Sequence, residues 1–193
     1  MYEVEELQLI RHKLKKKLDP QRYEHTLGVS FTSAALAMRW GGDIQKAELA
    51  GLLHDCAKHF TEGELIAKCR EHGVLLGEEE LKSPAVIHGK FGRYLAEHKY
   101  GIADADVLNA ISYHTTGREN MSLLEKIVFT ADYIEPCRDR APELPVLREL
   151  AFKDLDLCMY RILRDTADYL TKKNLHIHAD TLRAMNYFKE LAV

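Results

Sequence analysis

Apolar residues recur at intervals of three and four along most of this chain, and that spacing commits it to helices. Val4, Leu7, Ile10, Leu14 and Leu18 form one stripe on a helix of 3.6 residues per turn. Asp19-Pro20 reads as an N-cap followed by proline at the first helical position. It opens a second helix over 20–40 that carries Leu27, Phe31, Ala34, Ala35 and Met38 on one face, and Gly41-Gly42 stops it. Asp43 caps a third helix expected over 44–58. Thr61 with Glu64 makes a capping box for a short fourth, which Gly73 ends. Ser83-Pro84 opens a helix to about Tyr100, closed by Gly101. Asp104 opens another to His114, interrupted by Thr115-Thr116-Gly117. Ser122 with Glu125 is a second capping box, and that helix ends before Pro136, since proline disfavours the helical state in the residue preceding it. Pro142 and Pro145 mark a loop. A long helix over 147–172 follows, with a break near Asp154, and the last helix covers 179–191. Alternating strand patterns, repeats and linkers are not visible. The expected fold class is all-α, one helical domain over 1–193.

The composition fits a chain with a real core, at 46% hydrophobic and 30% charged residues. A net charge of −3 gives no electrostatic footprint for nucleic acid. A phosphorylated ligand would need local cations or a metal rather than a global positive field. The N-terminal stretch is charged throughout, unlike a signal peptide, and no apolar run approaches the roughly 20 residues of a membrane span. Lys13, Lys15, Lys16 and Lys17 read as a solvated helix end, where cations suit the dipole. Cys56, Cys69, Cys137 and Cys158 form no C-x-x-C pair, and are expected to be reduced thiols of a cytoplasmic protein.

The chemistry-bearing residues are histidines and aspartates on separate helices. Leu52-Leu53-His54-Asp55 is placed late in the third helix, with Lys58 one turn on. A His-Asp dipeptide alone is weak evidence. Its setting strengthens it: adjacent residues lie about 100° apart on a helix, so both can lean toward one ion, and Gly51 and Ala57 leave room. Further along stand His25, His88, His114 and Asp132. Asp132 lies in the apolar run Ile127 to Tyr133, where a carboxylate calls for a cation. Imidazole and carboxylate donors suit iron, manganese or zinc, and helical bundles build such sites from inward-facing residues. His12, His59, His72 and His98 have no motif around them and read as surface or structural histidines.

The segments Arg22-Tyr23-Glu24-His25-Thr26-Leu27-Gly28-Val29, Leu49-Ala50-Gly51-Leu52-Leu53-His54-Asp55-Cys56-Ala57-Lys58, His88-Gly89, Tyr113-His114-Thr115-Thr116-Gly117-Arg118 and Ala131-Asp132-Tyr133-Ile134-Glu135-Pro136-Cys137-Arg138 carry a resemblance over nearly the whole chain. It resembles the YqeK group of HD-domain proteins, symmetrical diadenosine tetraphosphate hydrolases. The resemblance implies a single HD-domain helical bundle in which His25, His54, Asp55 and Asp132 hold iron, manganese or another divalent ion. His88 and His114 would face the phosphates or help hold a second ion. Lys58, Thr115 and Arg138 would contact phosphates, and Leu175, His176, Ile177, His178, Ala179 and Asp180 would border the nucleoside. The chain departs from the family pattern at Ala179, where proline is usual, and at Met185, where arginine is.

On this reading the ion makes a hydroxide from water and polarises a phosphoryl oxygen. Asp55 would bridge if two ions bind. Lys58 and Arg138 would offset charge on the phosphoryl oxygens, and His88 or His114 could protonate the leaving oxygen if not metal-bound. The products would be two ADP molecules. Two other functions stay in view: hydrolysis of a different nucleotide on the same scaffold, and a module that binds or senses a nucleotide without turning it over. The partners expected are a nucleotide substrate or its ADP product, with no nucleic acid and no membrane. A homodimer is expected if the long C-terminal helix leaves an apolar face uncovered.

Overall fold

The computed structural model describes residues 4–139, 141 and 143–192, and among them every regular element is helical. The helices are α1 (Val4–Lys15), α2 (Pro20–Trp40), α3 (Ile44–Leu53), α4 (Glu62–Glu71), α5 (Glu78–Lys82), α6 (Ile87–Tyr100), α7 (Ala105–Tyr113), α8 (Leu123–Ile134), α9 (Leu144–Leu150), α10 (Leu155–Lys172) and α11 (Ala179–Leu191). No helix among the described residues is long and apolar enough to cross a membrane.

Local signals set most boundaries. The side chains of Asp19, Asp43, Thr61, Ser122 and Asp154 each accept a hydrogen bond from a first-turn backbone N–H. Both expected capping boxes form, with Glu64 and Glu125 reaching back to the cap. Gly41 and Gly101 close α2 and α6 in the left-handed region, at φ 71° and 73°.

α8 is the axis of the bundle. Its Ile127, Val128, Phe129, Ala131 and Ile134 are buried, and α2, α3, α7, α9 and α10 all pack around it. A smaller apolar cluster of Ala57, Leu65, Cys69, Ile87 and Phe91 fastens α4 and α6 beside the segment that follows α3.

Several expectations need correction. The buried face of α2 is His25, Thr26, Val29, Ser30, Ser33, Leu36 and Ala37, whereas Phe31 and Met38 are 56% and 63% exposed. The cause is close packing on α3: a Cβ at Gly51 would stand 2.9 Å from both the Ser30 Cα and the Ser33 Oγ. Only small side chains fit that seam at Ser30 and Ser33, and Phe31 and Met38 turn outward. The third helix ends at Leu53 rather than near Lys58. Three-residue turns follow, with Cys56 N–H bonded to the Leu53 carbonyl and Lys58 N–H to that of Asp55. The short α5 lacked a sequence signal strong enough to be expected. A 3-10 turn, Pro84–Val86, precedes α6. Pro145 sits in the first turn of α9 instead of a loop, while Pro142 and Met1–Glu3 lie outside the described residues. The expected break near Asp154 is there, as the cap of α10. The apolar side of α10, including Cys158, Met159, Ile162 and Leu163, is covered, so this helix does not offer the open face on which a dimer was expected.

Gly51→Ala should therefore lower stability by about 1–3 kcal/mol, the usual cost of overpacking. Differential scanning calorimetry should register a drop of several degrees in Tm; an unchanged Tm would mean that α2 moves away from α3 without resistance.

Candidate metal centre

Helix ends, rather than helix middles, supply most of the centre. His54 caps the C-terminus of α3 and His114 that of α7, while His88 lies in the first turn of α6. His25 comes from α2 and Asp132 from the last turn of α8. Asp55 follows His54 in the turn after α3. His25, His54, Asp55, His88 and His114 are all buried, and a fifth of the Asp132 side chain is exposed.

The imidazoles share one hydrogen-bonding scheme. His54 Nδ1 lies 2.7 Å from the Gly51 carbonyl, His88 Nδ1 2.6 Å from that of Ala85 and His114 Nδ1 2.8 Å from that of Ile111. A carbonyl can only accept, so the proton sits on Nδ1 and each Nε2 keeps its lone pair. His25 follows suit with a carboxylate, its Nδ1 lying 3.0 Å from Glu135 Oε1. Every Nε2 then points into one space. His88 Nε2 and His114 Nε2 are 3.0 Å apart. Asp55 Oδ1 is 3.2 Å from His88 Nε2 and 3.6 Å from His114 Nε2; Asp55 Oδ2 is 3.5 Å from His54 Nε2 and 3.9 Å from that of His25. Asp132 Oδ1 is 3.0 Å from His25 Nε2 and 3.8 Å from His54 Nε2.

Lone pairs so arranged repel one another unless a cation stands among them. The Nε2 atoms of His25 and His54 are buried and have no hydrogen-bond partner, an arrangement that costs free energy in any site without an ion. Three overlapping sets, His25–His54–Asp55, His54–His114–Asp132 and Asp55–His88–His114, each keep their donor atoms within 4.8 Å of one another, and Asp55 belongs to two of them. Mixed imidazole and carboxylate donors of this kind suit a divalent first-row metal.

Without an ion, the repulsion is relieved by drawing protons onto the imidazoles, and the electrostatics show that pull: burial opposes it, but Asp132 and Glu135 raise the pKa of His25. Burial works against a charge on Asp55, but His54, His114 and His88 outweigh it and hold the carboxyl well below the usual carboxylate range. Asp132 is likewise opposed by burial and held down by His25, His54 and Arg138. Burial pushes His88 down to about 4 despite the Asp55 carboxylate, so it is neutral and able to donate a lone pair.

The phosphate-facing residues divide into two groups. Thr115 Oγ1 lies 3.0 Å from His114 Nε2 and 3.2 Å from His88 Nε2. Lys58 Nζ stands 3.2 Å from His88 Nδ1, whose proton is already given to Ala85, and burial lowers the lysine's pKa. On the other side, Arg138 donates to Asp132 Oδ1 at 2.8 Å and to the Asp132 carbonyl at 3.0 Å. There a cleft of about 520 Å³ opens beside His25, lined also by Arg22, Tyr133 and Arg138.

The stretch from Leu175 to Asp180 does not join the cluster. Leu175 is 54% exposed. His176 Nε2 and the Ala179 N–H both contact Glu79 of α5, at 3.0 and 2.9 Å, and His178 faces Glu80. Ile177 is half-buried, and Asp180 pairs with Arg183. The link to the centre is indirect: Thr181 Oγ1 donates to the Thr116 carbonyl at 3.0 Å, beside Thr115. Proline at position 179 could not donate to Glu79, so Ala179 adds a hydrogen bond there.

Two residues of the site escaped the sequence reading. Arg22 Nη1 donates to Asp55 Oδ2 at 2.8 Å, and Glu135 supports His25. Helical spacing was the available signal: Arg22 is three residues before His25, and Glu135 three after Asp132, each about one turn away.

The chain is similar to known proteins over nearly its whole length. The HD domain family model matches residues 22–137. The chain is 44% identical over 177 residues to a protein of Halalkalibacterium halodurans named bis(5'-nucleosyl)-tetraphosphatase, symmetrical, covering 90% of this chain and 91% of that one. A Bacillus subtilis protein of the same name is 39% identical, covering 90% and 92%. A Clostridium acetobutylicum crystal structure at 1.50 Å, described as a predicted HD superfamily hydrolase involved in NAD metabolism, superposes with a TM-score of 0.92 at 40% identity over 99% of both chains.

Asp55→Ala should abolish the rise in Tm that a saturating divalent ion gives the parent protein. Thermal scans with and without Mn²⁺ decide it, since an equal rise in both proteins would put the ion elsewhere.

Proposed function

Because the chain belongs to the HD-domain family, among relatives named symmetrical bis(5'-nucleosyl)-tetraphosphatases, we propose that it hydrolyses diadenosine tetraphosphate and related dinucleoside polyphosphates to two nucleoside diphosphates. The observation that carries the proposal is the buried, lone-pair-rich centre opening beside a cleft with two arginines. A nucleotide binder without turnover has no need of such a centre. A divalent ion held by His25, His54, Asp55 and Asp132, which we assign as iron, would lower the pKa of a water and polarise a phosphoryl oxygen. A second ion would fall to Asp55, His88 and His114.

The chain's own residues do the rest. Arg138 and Arg22, which line the cleft beside Asp132 and Asp55, would bind phosphate oxygens through their guanidinium forks, while Lys58 would serve as a point charge. Thr115 donates its hydroxyl to a phosphate oxygen or to one of the histidines. The start of α11 borders the nucleoside through the Thr116 link. Symmetrical cleavage breaks a bond to one of the two central phosphorus atoms. Binding one nucleoside diphosphate half in the cleft would fix which phosphorus meets the water.

The four free thiols support a cytoplasmic protein, one HD-type domain over 1–193, and the net charge of −3 supports a partner other than nucleic acid. A homodimer would use the exposed Phe31 and Met38 of α2, and sedimentation velocity tests it.

Incubation with diadenosine tetraphosphate should give ADP as the sole early product, and chelation should stop the reaction. AMP with ATP would keep the hydrolase and overturn the attack site. The same panel includes NAD, since the solved relative is described as involved in its metabolism. Arg138→Ala should lower kcat/KM by about 10- to 100-fold, as expected for a lost charge-assisted hydrogen bond, while metal content stays at the parent level. Metal loss in that variant would assign Arg138 a structural role.

A further inference from the structure

Glu135 touches His25 but is neither among the residues assigned to the ion nor among those assigned to phosphate. It is 1% exposed, and its Oε1 lies 3.0 Å from His25 Nδ1 while Oε2 accepts the Cys137 N–H at 2.7 Å. Burying a carboxylate this deeply is costly unless it is fully bonded. The chain also makes room for it at a second point. A Cβ on Gly28 would stand 2.3 Å from Glu135 Oε2 and 3.1 Å from its carboxyl carbon, but 3.5 Å from its Cβ. Any side chain at position 28 would thus collide with the carboxylate, and not with the stem that carries it.

We infer that Glu135 is a positioning residue: its carboxylate fixes the proton of His25 on Nδ1 and so aims Nε2 into the metal centre, and Gly28 is required to admit it. The inference rests on the reading of the centre as a divalent-metal site. His25 needs this support because its place in the helix differs from that of the other histidines. His54, His88 and His114 are each oriented by the carbonyl three residues before them, at the end or the start of a helix. His25 lies inside α2, where carbonyls are taken by the helix itself, so its acceptor comes from another element. A carboxylate in that position also makes the imidazole a stronger donor, and partners of this kind typically contribute 10- to 100-fold in metal affinity.

The backbone of Glu135 is held independently of its carboxylate. Its carbonyl accepts from Arg148 Nη2 at 2.9 Å and from the Arg138 N–H at 3.0 Å. Removing the side chain therefore leaves the segment anchored, and the carboxylate can be tested apart from the fold.

Mn²⁺ affinity, read by competition against a chelating dye, tests the inference together with the Tm of the metal-free proteins. Glu135→Ala should bind Mn²⁺ about 10- to 100-fold more weakly with the metal-free Tm little changed, and Glu135→Gln, which keeps an acceptor for His25, should recover part of the loss. Gly28→Ala should weaken binding to a similar degree when Glu135 is present and add nothing in the Glu135→Ala background, where its clash partner is gone. Parent-like affinity in Glu135→Ala overturns the inference, whatever happens to Tm. A Gly28→Ala loss that is equal with and without Glu135 overturns the part given to Gly28. A parent protein that binds no Mn²⁺ overturns the metal centre and this inference together. A parent that binds Mn²⁺ without cleaving diadenosine tetraphosphate counts against the substrate alone, and the affinities still decide the role of Glu135.

Discussion

The bundle is organised around a repulsion. Asp55 and Asp132 are gathered with the lone pairs of four imidazoles in one buried space. No such group of acceptors would assemble by itself, so the rest of the fold must hold each one in place from behind. Three histidines are held by helix-end geometry. The last carbonyls of a helix lack partners within it, and His54 and His114, at the ends of α3 and α7, bond to the carbonyl three residues back. His88, in the first turn of α6, bonds to the carbonyl of Ala85 in the 3-10 turn before it. Backbone carbonyls at helix boundaries thus set the tautomer of these three histidines.

Close approach of the backbones is the second requirement, and glycine provides it. Gly51 lets α3 lie on the Ser30 and Ser33 face of α2, which brings His54 and Asp55 to His25. A Cβ at Gly89 would stand 2.6 Å from the Ser112 carbonyl, so its absence allows α6 to meet α7 and His88 to meet His114. Each of these glycines adjoins or closely precedes a histidine of the centre in the chain. The seams that position the chemistry are therefore made of small residues, while the large apolar side chains fill the core farther along α8 and α10.

This division explains what was legible in the sequence. Caps could be read because their partners lie two or three residues away, as with Asp19, Asp43, Thr61, Ser122 and Asp154. The apolar face of α2 could not, since its buried side mixes Val29, Leu36 and Ala37 with Thr26, Ser30 and Ser33, and a hydrophobicity pattern marks Phe31 and Met38 instead. The end of α3 was misplaced because apolar periodicity continues through Cys56 and Ala57, which are buried outside any helix. Histidines and aspartates announced themselves by residue type. Arg22 and Glu135 did not, because an arginine 33 residues from Asp55 and a glutamate 110 residues from His25 acquire meaning only when the chain folds.

The centre has two sides, and Asp55 stands between them. One holds His25 and Asp132, with Arg22 and Arg138 bonded to the two carboxylates at the edge of the cleft. The other holds His88 and His114, with Thr115 and Lys58 against them. Each arginine now neutralises a carboxylate, a task that a divalent cation would take over with more charge in less space. Arginine is always protonated, so displacement from the carboxylates leaves it needing another anion. Loading such a centre would loosen two internal salt bridges and leave both guanidinium groups with donors to spare at the edge of the cleft, Arg138 still held by the Asp132 carbonyl. Metal and anion binding would then be coupled through Asp55 and Asp132, because a cation that takes up the carboxylate charge leaves the arginine charge to be balanced.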